Sequence, residues 1–350
     1  RRERRDVQAR AIEPPAQRQA GNHRVMPPLA RGQWHAGFLR LQGLPAFPRH
    51  DRPDRAEQHD IEHVDDDIDL AKLLGEMTRS FAKQPFRLDQ HLDRLFASLR
   101  LLEIDCGLSR DELERVTLAT VEANLACLEE DVDYYIMHDI SRGPVSYFGQ
   151  AFPEGLQPTV IVAIWPMIAH IARVAAEYET GVHAVVTSQR AIPSRYLDPK
   201  AKTRSRLHYQ MANLQAARYG PDAWAVLLDE QGCIAEGTSC NFFIVKGGTL
   251  YTPEPHNILR GVSRGYVAEL AEALGIPCVT GPFEPYDVLQ ADEAFFTATS
   301  FCILPATRFE GQPIGDGKPG PITRGLLAEW SRRVGVDIVA QARLMADKYG

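Results

Sequence analysis

The chain has 350 residues, of which 44% are hydrophobic and 24% are charged. This composition is typical of globular proteins, and the length favours about two domains. The 39 lysines and arginines against 46 aspartates and glutamates give a formal net charge of −7. Because such a balance provides no overall positive field, we expect neither nucleic acid nor an anionic membrane surface as a partner, and a small-molecule ligand becomes the default.

No apolar run approaches the roughly 20 residues that a membrane-spanning helix needs, since the best candidate, Thr159–Pro166, has the length of a strand. The six cysteines are scattered without a CxxC pair or a cysteine–histidine cluster at zinc spacing. This pattern argues against a disulfide framework and against a structural metal site. Cysteines used as small buried residues in a reducing compartment predict a cytoplasmic protein.

The first part of the chain differs in composition from the rest. Residues 1–55 contain twelve arginines, seven prolines and no lysine, and they show little apolar periodicity. We therefore expect residues 1–75 to form an atypical segment, either disordered or read in a wrong frame, ahead of the folded domains.

From Met77 onwards the apolar spacing becomes regular and predicts a small α+β domain over residues 76–166. Ser109, with Glu112 three residues later, has the pattern of a capping box that begins a helix. The predicted elements are a strand over 77–81, helices over 88–102 and 109–124, and strands over 134–141 and 159–165. An interdomain connection is expected over 167–180.

The remaining residues, 181–350, predict a larger domain that contains both strands and helices. The predicted strands cover 182–187, 223–229, 242–245, 249–252 and 294–299, and the predicted helices cover 205–218, 263–274 and a terminal segment from 322. Because clefts between domains are favoured places for ligands, we expect the functional site between the two domains.

The most informative stretch is 234–264. Glu236 follows a turn, Asn241 begins an apolar strand, and the run Gly261–Arg264 begins a helix. A glycine followed by a small hydroxyl residue at a helix start presents free backbone N–H groups and the positive end of the helix dipole, which suits a phosphate. Taken alone, the same pattern also fits an ordinary serine-capped helix.

The order and spacing of these elements, together with the L-x-T run at 250–252, resemble the defining motif of the class IV, or branched-chain type, pyridoxal-phosphate-dependent aminotransferases. Further matching runs are Phe86–Leu88, Asp198–Lys202 and Lys318–Arg324. The resemblance implies the two-domain α+β fold of that family, with a small α/β domain and a larger pseudo-barrel α/β domain. It also implies pyridoxal 5'-phosphate as cofactor, a role in amino-acid metabolism and a homodimer.

The resemblance assigns the cofactor site residue by residue. The family lysine precedes the glutamate by the distance that separates Lys202 from Glu236, so Lys202 is the candidate for the Schiff base; Lys200 is a rival two residues out of register. Glu236 is implied to keep the pyridine nitrogen protonated. The implied phosphate ligands are Arg94, Val262, Ser263 and Thr299.

The substrate contacts are less well matched. Branched-chain enzymes carry an arginine where the strand predicted over 134–141 has Met137, and the R-x-H of D-amino-acid enzymes is replaced within Ser146–Gly149. Arg142, Arg190 and Ala298 are the remaining candidates for substrate binding.

The leading hypothesis is an aminotransferase that moves an amino group between a branched-chain-like amino acid and a 2-oxo acid such as 2-oxoglutarate. A D-amino-acid or (R)-amine transaminase and an aminodeoxychorismate lyase are alternatives within the fold. An inactive protein with the cofactor fold is a second alternative, because only Leu74–Met77 matches the end of the family's G-D-x-[VF]-[FY]-E run, as if residues between Gly75 and Glu76 were missing.

Overall fold

The computed structural model describes residues 73–142 and 158–349, which form helices and two separate sheets. Most of the N-terminal segment expected to be atypical, residues 1–75, lies outside the described residues, and so does Ser146–Gly149. Within the described ranges, no helix is both long enough and apolar enough to cross a membrane.

The smaller sheet turns one apolar face toward two helices. Its strands are antiparallel, lie in the order β2-β1-β3-β4, and span Leu73–Phe81 (β1), Gln84–Pro85 (β2), Tyr134–Ser141 (β3) and Thr159–Pro166 (β4). The helices are Leu88–Leu101 (α1) and Arg110–Leu125 (α2). Alternate strand residues such as Leu74, Ile140 and Val162 are buried in one cluster with Leu92 and Leu95 of α1, as the two-residue period of a half-buried sheet requires.

Local sequence determines where these helices begin. The capping box predicted at α2 is confirmed, because the side chain of Ser109 accepts the N–H of Glu112 and the Glu112 carboxylate accepts the N–H of Ser109. The apolar stripe predicted for α1 is also confirmed, with Leu92, Leu95 and Leu99 buried.

Strand β1 begins at Leu73, four residues before the strand predicted over 77–81. The boundary that was expected between the atypical segment, 1–75, and the small domain, 76–166, therefore falls inside a strand. The register with β3 runs without a break from Leu73 to Arg79, so Gly75 and Glu76 are consecutive members of one regular strand. The backbone N–H of Gly75 also donates to the carbonyl of Lys202 at 3.0 Å, which ties this strand to the second domain.

The larger sheet is mixed and curled. Its strands lie in the order β10-β9-β8-β11-β12-β5-β6-β7, with β13 paired to β12, and β5 runs parallel to both of its neighbours. They span Val182–Arg190 (β5), Ala223–Leu228 (β6), Ile234–Gly237 (β7), Asn241–Lys246 (β8), Thr249–Thr252 (β9), Cys278–Thr280 (β10), Glu293–Ala298 (β11), Cys302–Phe309 (β12) and Gln312–Pro313 (β13).

Seven helices of the described residues belong to the connection or to this domain. They are Ile168–Ala172 (α3), Glu177–Thr180 (α4), Leu207–Ala216 (α5), Val262–Ala273 (α6), Pro285–Leu289 (α7), Pro321–Val334 (α8) and Ile338–Tyr349 (α9). The connection expected over 167–180 thus contains two short helices. The helices and the two curled sheets form the α+β fold with two domains that the sequence predicted.

The larger domain contains several elements that were not predicted, among them β7, β10, β13 and α7, and two further differences have a clear local reason. Strand β12 was missed, because Pro305 is unusual in a strand that is paired on both sides. The single predicted terminal helix is two helices, since Gly335 ends α8 in the left-handed conformation with φ 68°, a common way for a helix to stop.

Arg79 of β1 connects the two domains. Its side chain is 1% exposed, and its Nη1 donates to the carbonyl of Ser300 at 2.8 Å while its Nη2 donates to Gln341 at 3.0 Å. The guanidinium carbon also lies 3.9 Å from the centre of the Phe81 ring, a distance at which a cation and an aromatic ring attract each other. The turn after β11 is therefore held by a strand of the other domain.

Candidate active site

Lys202 lies in the loop between β5 and α5, where its backbone is held on both sides. Its N–H donates to the side chain of Ser98 at 3.3 Å, and its carbonyl accepts the N–H of Gly75. The lysine is half-buried and lines a cavity that it shares with Arg206, Tyr209, Glu236 and Leu259. Two residues away, the Lys200 amine binds Asp198 at 2.7 Å and the carbonyl of His256 at 3.3 Å.

Burial lowers the pKa of Lys202 to about 7, and the positive charge of Arg206 contributes most among the neighbouring cations. The carboxylate of Glu76 acts in the opposite direction. A lysine with this pKa is a free amine in a large fraction of molecules at neutral pH. The free amine is the form that attacks a carbonyl carbon and accepts a proton.

Glu236 is the buried carboxylate of this cavity. It belongs to β7, is 4% exposed, and accepts the hydroxyl of Tyr209 at 2.6 Å and the N–H of Leu259 at 3.1 Å. Burial raises the pKa of Glu236 to about 7, although both hydrogen bonds and the charges of Arg206 and Lys202 work against that rise. A positively charged group beside Glu236 would stabilise its ionised form.

Asn241 begins β8 and, together with Glu236, fixes the backbone of Leu259. Its Nδ2 donates to the carbonyl of Leu259 at 3.0 Å, while Glu236 accepts the N–H of the same residue. Two residues later Gly261 caps α6, and a Cβ at that position would lie 2.1 Å from Oδ1 of Asn241. Glycine is therefore required here for space and not for backbone conformation.

The start of α6 is suited to an anion. Val262 and Ser263 are buried in its first turn, and no side chain caps the free N–H groups there. Arg94 of α1 reaches the same place, since its Nη1 donates to the carbonyl of Arg260 at 3.0 Å. A helix N-terminus next to a guanidinium is a favourable environment for phosphate.

A buried carboxylate orients Arg94. Glu76 of β1 is 1% exposed and accepts Nε of Arg94 at 2.9 Å and Nη2 at 2.6 Å, and Nδ1 of His91 lies 2.9 Å from the same carboxylate. Burial opposes ionisation, but the charge of Arg94 and the hydrogen bonds from His91 and Arg94 hold the pKa of Glu76 well below its usual range.

The structure brings some predicted residues together and separates others. Ala298 is the last residue of β11 and Thr299 follows it, and both are half-buried. The next residue is Ser300, whose carbonyl accepts a hydrogen bond from Arg79. Arg142 instead donates to the carbonyl of Leu102. Arg190 is exposed and donates to the carbonyl of Thr187. Among the described residues, neither arginine forms a hydrogen bond to a group that lines the Lys202 cavity.

Sequence reasoning missed Glu76, Arg206 and Tyr209. Glu76 could have been noticed as a charged residue at the position of β1 that faces the helices. Arg206 and Tyr209 lie shortly after Lys202 in the chain, but only the folded loop shows that they turn into its cavity. A wider groove of about 800 Å³ between α4, α8 and α9 contains none of these residues.

Comparison with known proteins shows the family of the chain. The family model for class IV aminotransferases matches residues 74–309. A branched-chain-amino-acid aminotransferase from Pseudomonas aeruginosa is 34% identical over 69% of this chain and 76% of its own length. A D-alanine aminotransferase from Bacillus licheniformis is 30% identical over 69% of this chain and 80% of its own.

Solved structures show the same similarity. The branched-chain amino acid aminotransferase from Thermobaculum terrenum, in its pyridoxal-phosphate form, superimposes with a TM-score of 0.68 at 27% identity, and the match covers 81% of this chain and 91% of that one. The chain belongs to the class IV aminotransferase family. It is therefore a transferase that uses pyridoxal 5'-phosphate and acts on small molecules.

The contact between Gly261 and Asn241 predicts the effect of adding one methyl group. In Gly261→Ala the new Cβ displaces the Asn241 side chain, frees the Leu259 backbone and shifts the start of α6. We expect cofactor affinity, measured by fluorescence titration of the apoprotein, to fall about tenfold, equivalent to about 1.4 kcal/mol.

Gly265→Ala is the matched control, because this glycine lies in the same helix and a Cβ there meets nothing within 4 Å. It should bind the cofactor normally and gain slightly in stability. Equal losses in both variants would contradict the explanation.

The environment of Lys202 predicts an unusual pH dependence for its amine. Because burial lowers its pKa to about 7, the amine loses its proton as the pH rises through neutrality. Competitive acetylation of the apoprotein, followed by mass spectrometry, should show Lys202 half-reactive near pH 7. Lys348, whose pKa is raised by hydrogen bonds to Glu129 and Asp131, should stay unreactive there, and a midpoint for Lys202 near its ordinary 10.5 would refute the prediction.

Proposed function

We propose that this chain is an aminotransferase that moves an amino group between a branched-chain-like amino acid and a 2-oxo acid such as 2-oxoglutarate. The observation that carries the proposal is the convergence of a half-buried lysine, a buried carboxylate and an uncapped helix start beside an arginine. Lys202, Glu236, α6 and Arg94 come from separate parts of the chain and meet around one cavity and its rim.

These groups fit pyridoxal 5'-phosphate. Lys202 provides the amine for covalent attachment, whereas the Lys200 amine is already paired with Asp198. Glu236 provides a buried acidic partner for the ring nitrogen. Arg94 and the first turn of α6, with Val262 and Ser263, provide donors for the phosphate, and Thr299 is proposed to complete that set.

When bound, the cofactor supplies an electron sink that stabilises negative charge on the substrate Cα. Lys202, with a pKa near 7, is the base that takes the proton from that carbon and returns it, since an effective base has a pKa close to the working pH. Glu236 favours a protonated ring nitrogen, because a positive charge there offsets the cost of its own burial.

The side-chain preference is proposed from an apolar row on the face of the small sheet that turns away from α1 and α2. Met77 lies opposite Met137, and Met137 lies opposite Ala163, so all three side chains project from the same face. Two residues before Met77, the backbone N–H of Gly75 donates a hydrogen bond to the carbonyl of Lys202. An aliphatic side chain of the substrate would find apolar neighbours here, in agreement with the branched-chain substrates named for the Pseudomonas aeruginosa relative.

A D-amino-acid transaminase is the second candidate, supported by the similarity to the D-alanine aminotransferase from Bacillus licheniformis. The apolar row accepts an aliphatic side chain of either enantiomer. We also propose a cytoplasmic location, supported by six free cysteines, which are typical of a reducing compartment. Fractionation that recovers the protein outside the cytoplasm would disprove this.

A panel of amino donors tests the reaction. Glutamate formation from 2-oxoglutarate should be fastest with L-leucine, L-isoleucine or L-valine, slower with D-alanine and (R)-1-phenylethylamine. Lys202→Ala should lose both turnover and the visible absorbance of the lysine-bound cofactor while keeping its circular dichroism, because Lys202 is the only lysine among the described residues that line the cavity. Lys200→Ala should keep both properties. Turnover by Lys202→Ala, or pyruvate release from aminodeoxychorismate without transamination, would overturn the proposal.

A homodimer is proposed from an exposed apolar stripe on α5. Leu207, Met211 and Leu214 are 74%, 49% and 58% exposed, and their spacing places them on one face of the helix. Because α5 directly follows the Lys202 loop, a second copy docked there would lie near the site. Sedimentation equilibrium should give a dimer mass, and Leu214→Glu should shift the population toward monomer by introducing a charge into the contact. A monomeric parent protein would refute the proposal.

A further inference from the structure

Arg206 presents a guanidinium group to the Lys202 cavity, and among the described residues no carboxylate forms an ion pair with it. Its Nε donates to the carbonyl of Thr203 at 3.1 Å and its Nη1 to the hydroxyl of Ser239 at 2.9 Å. The guanidinium carbon lies 5.7 Å from the centre of the Tyr209 ring. All of these partners are neutral, so they satisfy hydrogen bonds without balancing the charge.

The neighbouring Arg204 has the opposite arrangement. Its Nε lies 2.7 Å and its Nη2 2.6 Å from the Asp139 carboxylate, and its side chain lies against Gly75. Within residues 73–142 and 158–349, no carboxylate approaches the Arg206 guanidinium within the 4.0 Å of an ion pair. Of two arginines in one short loop, one is neutralised and the other is left available.

An arginine that cannot release its proton stays charged even when it is partly removed from water. Arg206 is half-buried, and this burial lowers its pKa, because the cation has lost part of its solvation. Binding of an anion at such a site is favourable, because a charge-assisted hydrogen bond to the anion replaces the solvation that the cation has lost. The position of Arg206 on the wall that also carries Lys202 places that anion beside the reactive amine.

We propose that Arg206 binds the α-carboxylate of the amino-acid and 2-oxo-acid substrates. This inference rests on the proposed function, since it takes the Lys202 cavity as the place where these substrates react. Every amino acid and every 2-oxo acid carries a carboxylate on the reacting carbon. The planar guanidinium can hold that carboxylate with two parallel hydrogen bonds, which fixes its direction as well as its position.

The assignment also accounts for the two residues first considered for this role. Arg142 is engaged with Leu102 and Arg190 with Thr187, so each would have to break its existing contact and move to reach the cavity. Arg206 already lines it. A bound carboxylate would also cancel part of the positive charge that acts on Lys202 and so strengthen Lys202 as a base while substrate is present.

The test measures binding by the holoenzyme and does not depend on turnover. Calorimetric titration compares 4-methylpentanoate with its neutral analogue 4-methylpentanamide, which has the same carbon skeleton. For Arg206→Gln we expect affinity for the carboxylate to fall about 100-fold, the loss typical when one partner of a close charged pair is removed. Affinity for the amide should stay unchanged.

Arg206→Lys keeps the charge and loses the planar fork, so its affinity for the carboxylate should fall about tenfold. It also provides the decisive measurement if Arg206→Gln does not fold, since unchanged carboxylate binding in Arg206→Lys would overturn the proposal. Arg204→Gln is the matched control from the same loop and should bind 4-methylpentanoate nearly as well as the parent protein.

Two other results would overturn the assignment. These are equal losses for the carboxylate and the amide in Arg206→Gln, and a selective loss of carboxylate binding in Arg204→Gln. The proposed transamination is tested separately by glutamate formation. A parent protein that shows Arg206-dependent carboxylate binding but no transamination would disprove the proposed function, and only the binding of a carboxylate by Arg206 would remain.

Discussion

The site depends on an excess of positive charge that the fold brings into a poorly solvated place. Around Lys202 lie the guanidinium groups of Arg94, Arg204 and Arg206, all of which lower its pKa. Two of these arginines are neutralised, Arg94 by Glu76 and Arg204 by a carboxylate on β3. The remaining positive charges belong to Lys202, which can release its proton, and to Arg206, which cannot. This difference makes one of them suited to proton transfer and the other to anion binding.

The cofactor and the substrates supply the charges that balance this excess. A phosphate group brings about two negative charges near neutral pH, and an amino acid brings a carboxylate. Such a site is least stable when empty, because unpaired charges in a low-dielectric environment are costly. Ligand binding therefore stabilises the folded protein as well as preparing it for chemistry.

Backbone geometry determines where these charges lie. Glu236 accepts the backbone N–H of Leu259, and Asn241 donates to the carbonyl of the same residue. These two hydrogen bonds fix the start of α6 relative to β7 and β8. On the other side of the site, β1 places Glu76 against Arg94 and Gly75 against Lys202. Consecutive strand residues point to opposite faces, so one strand can orient the anion site with one face and the lysine loop with its backbone.

The sequence was informative where contacts are local and less so where they are distant. The capping box of α2 and the helix start at Gly261 depend on residues a few positions apart, and both could be recognised from spacing. The bond from Arg79 to Ser300 spans 221 positions, and the bond from Arg94 to Arg260 spans 166. Pairings at that range are created by the tertiary fold, so no periodicity in the chain reports them. The strand that contains Pro305 was missed for a similar reason, since burial between two neighbours outweighs the poor strand propensity of proline.

The placement of Arg206 also bears on the replacement of an expected arginine by Met137. A carboxylate bound from the loop after Lys202 needs no cation on β3, and that position can then belong to the apolar row with Met77 and Ala163. Under the proposed assignment, the charge that binds the carboxylate lies on the loop and the apolar row lies on the sheet. An aliphatic side chain would then suit the apolar row, whereas an acidic side chain would lose its solvation against the methionines without gaining a partner.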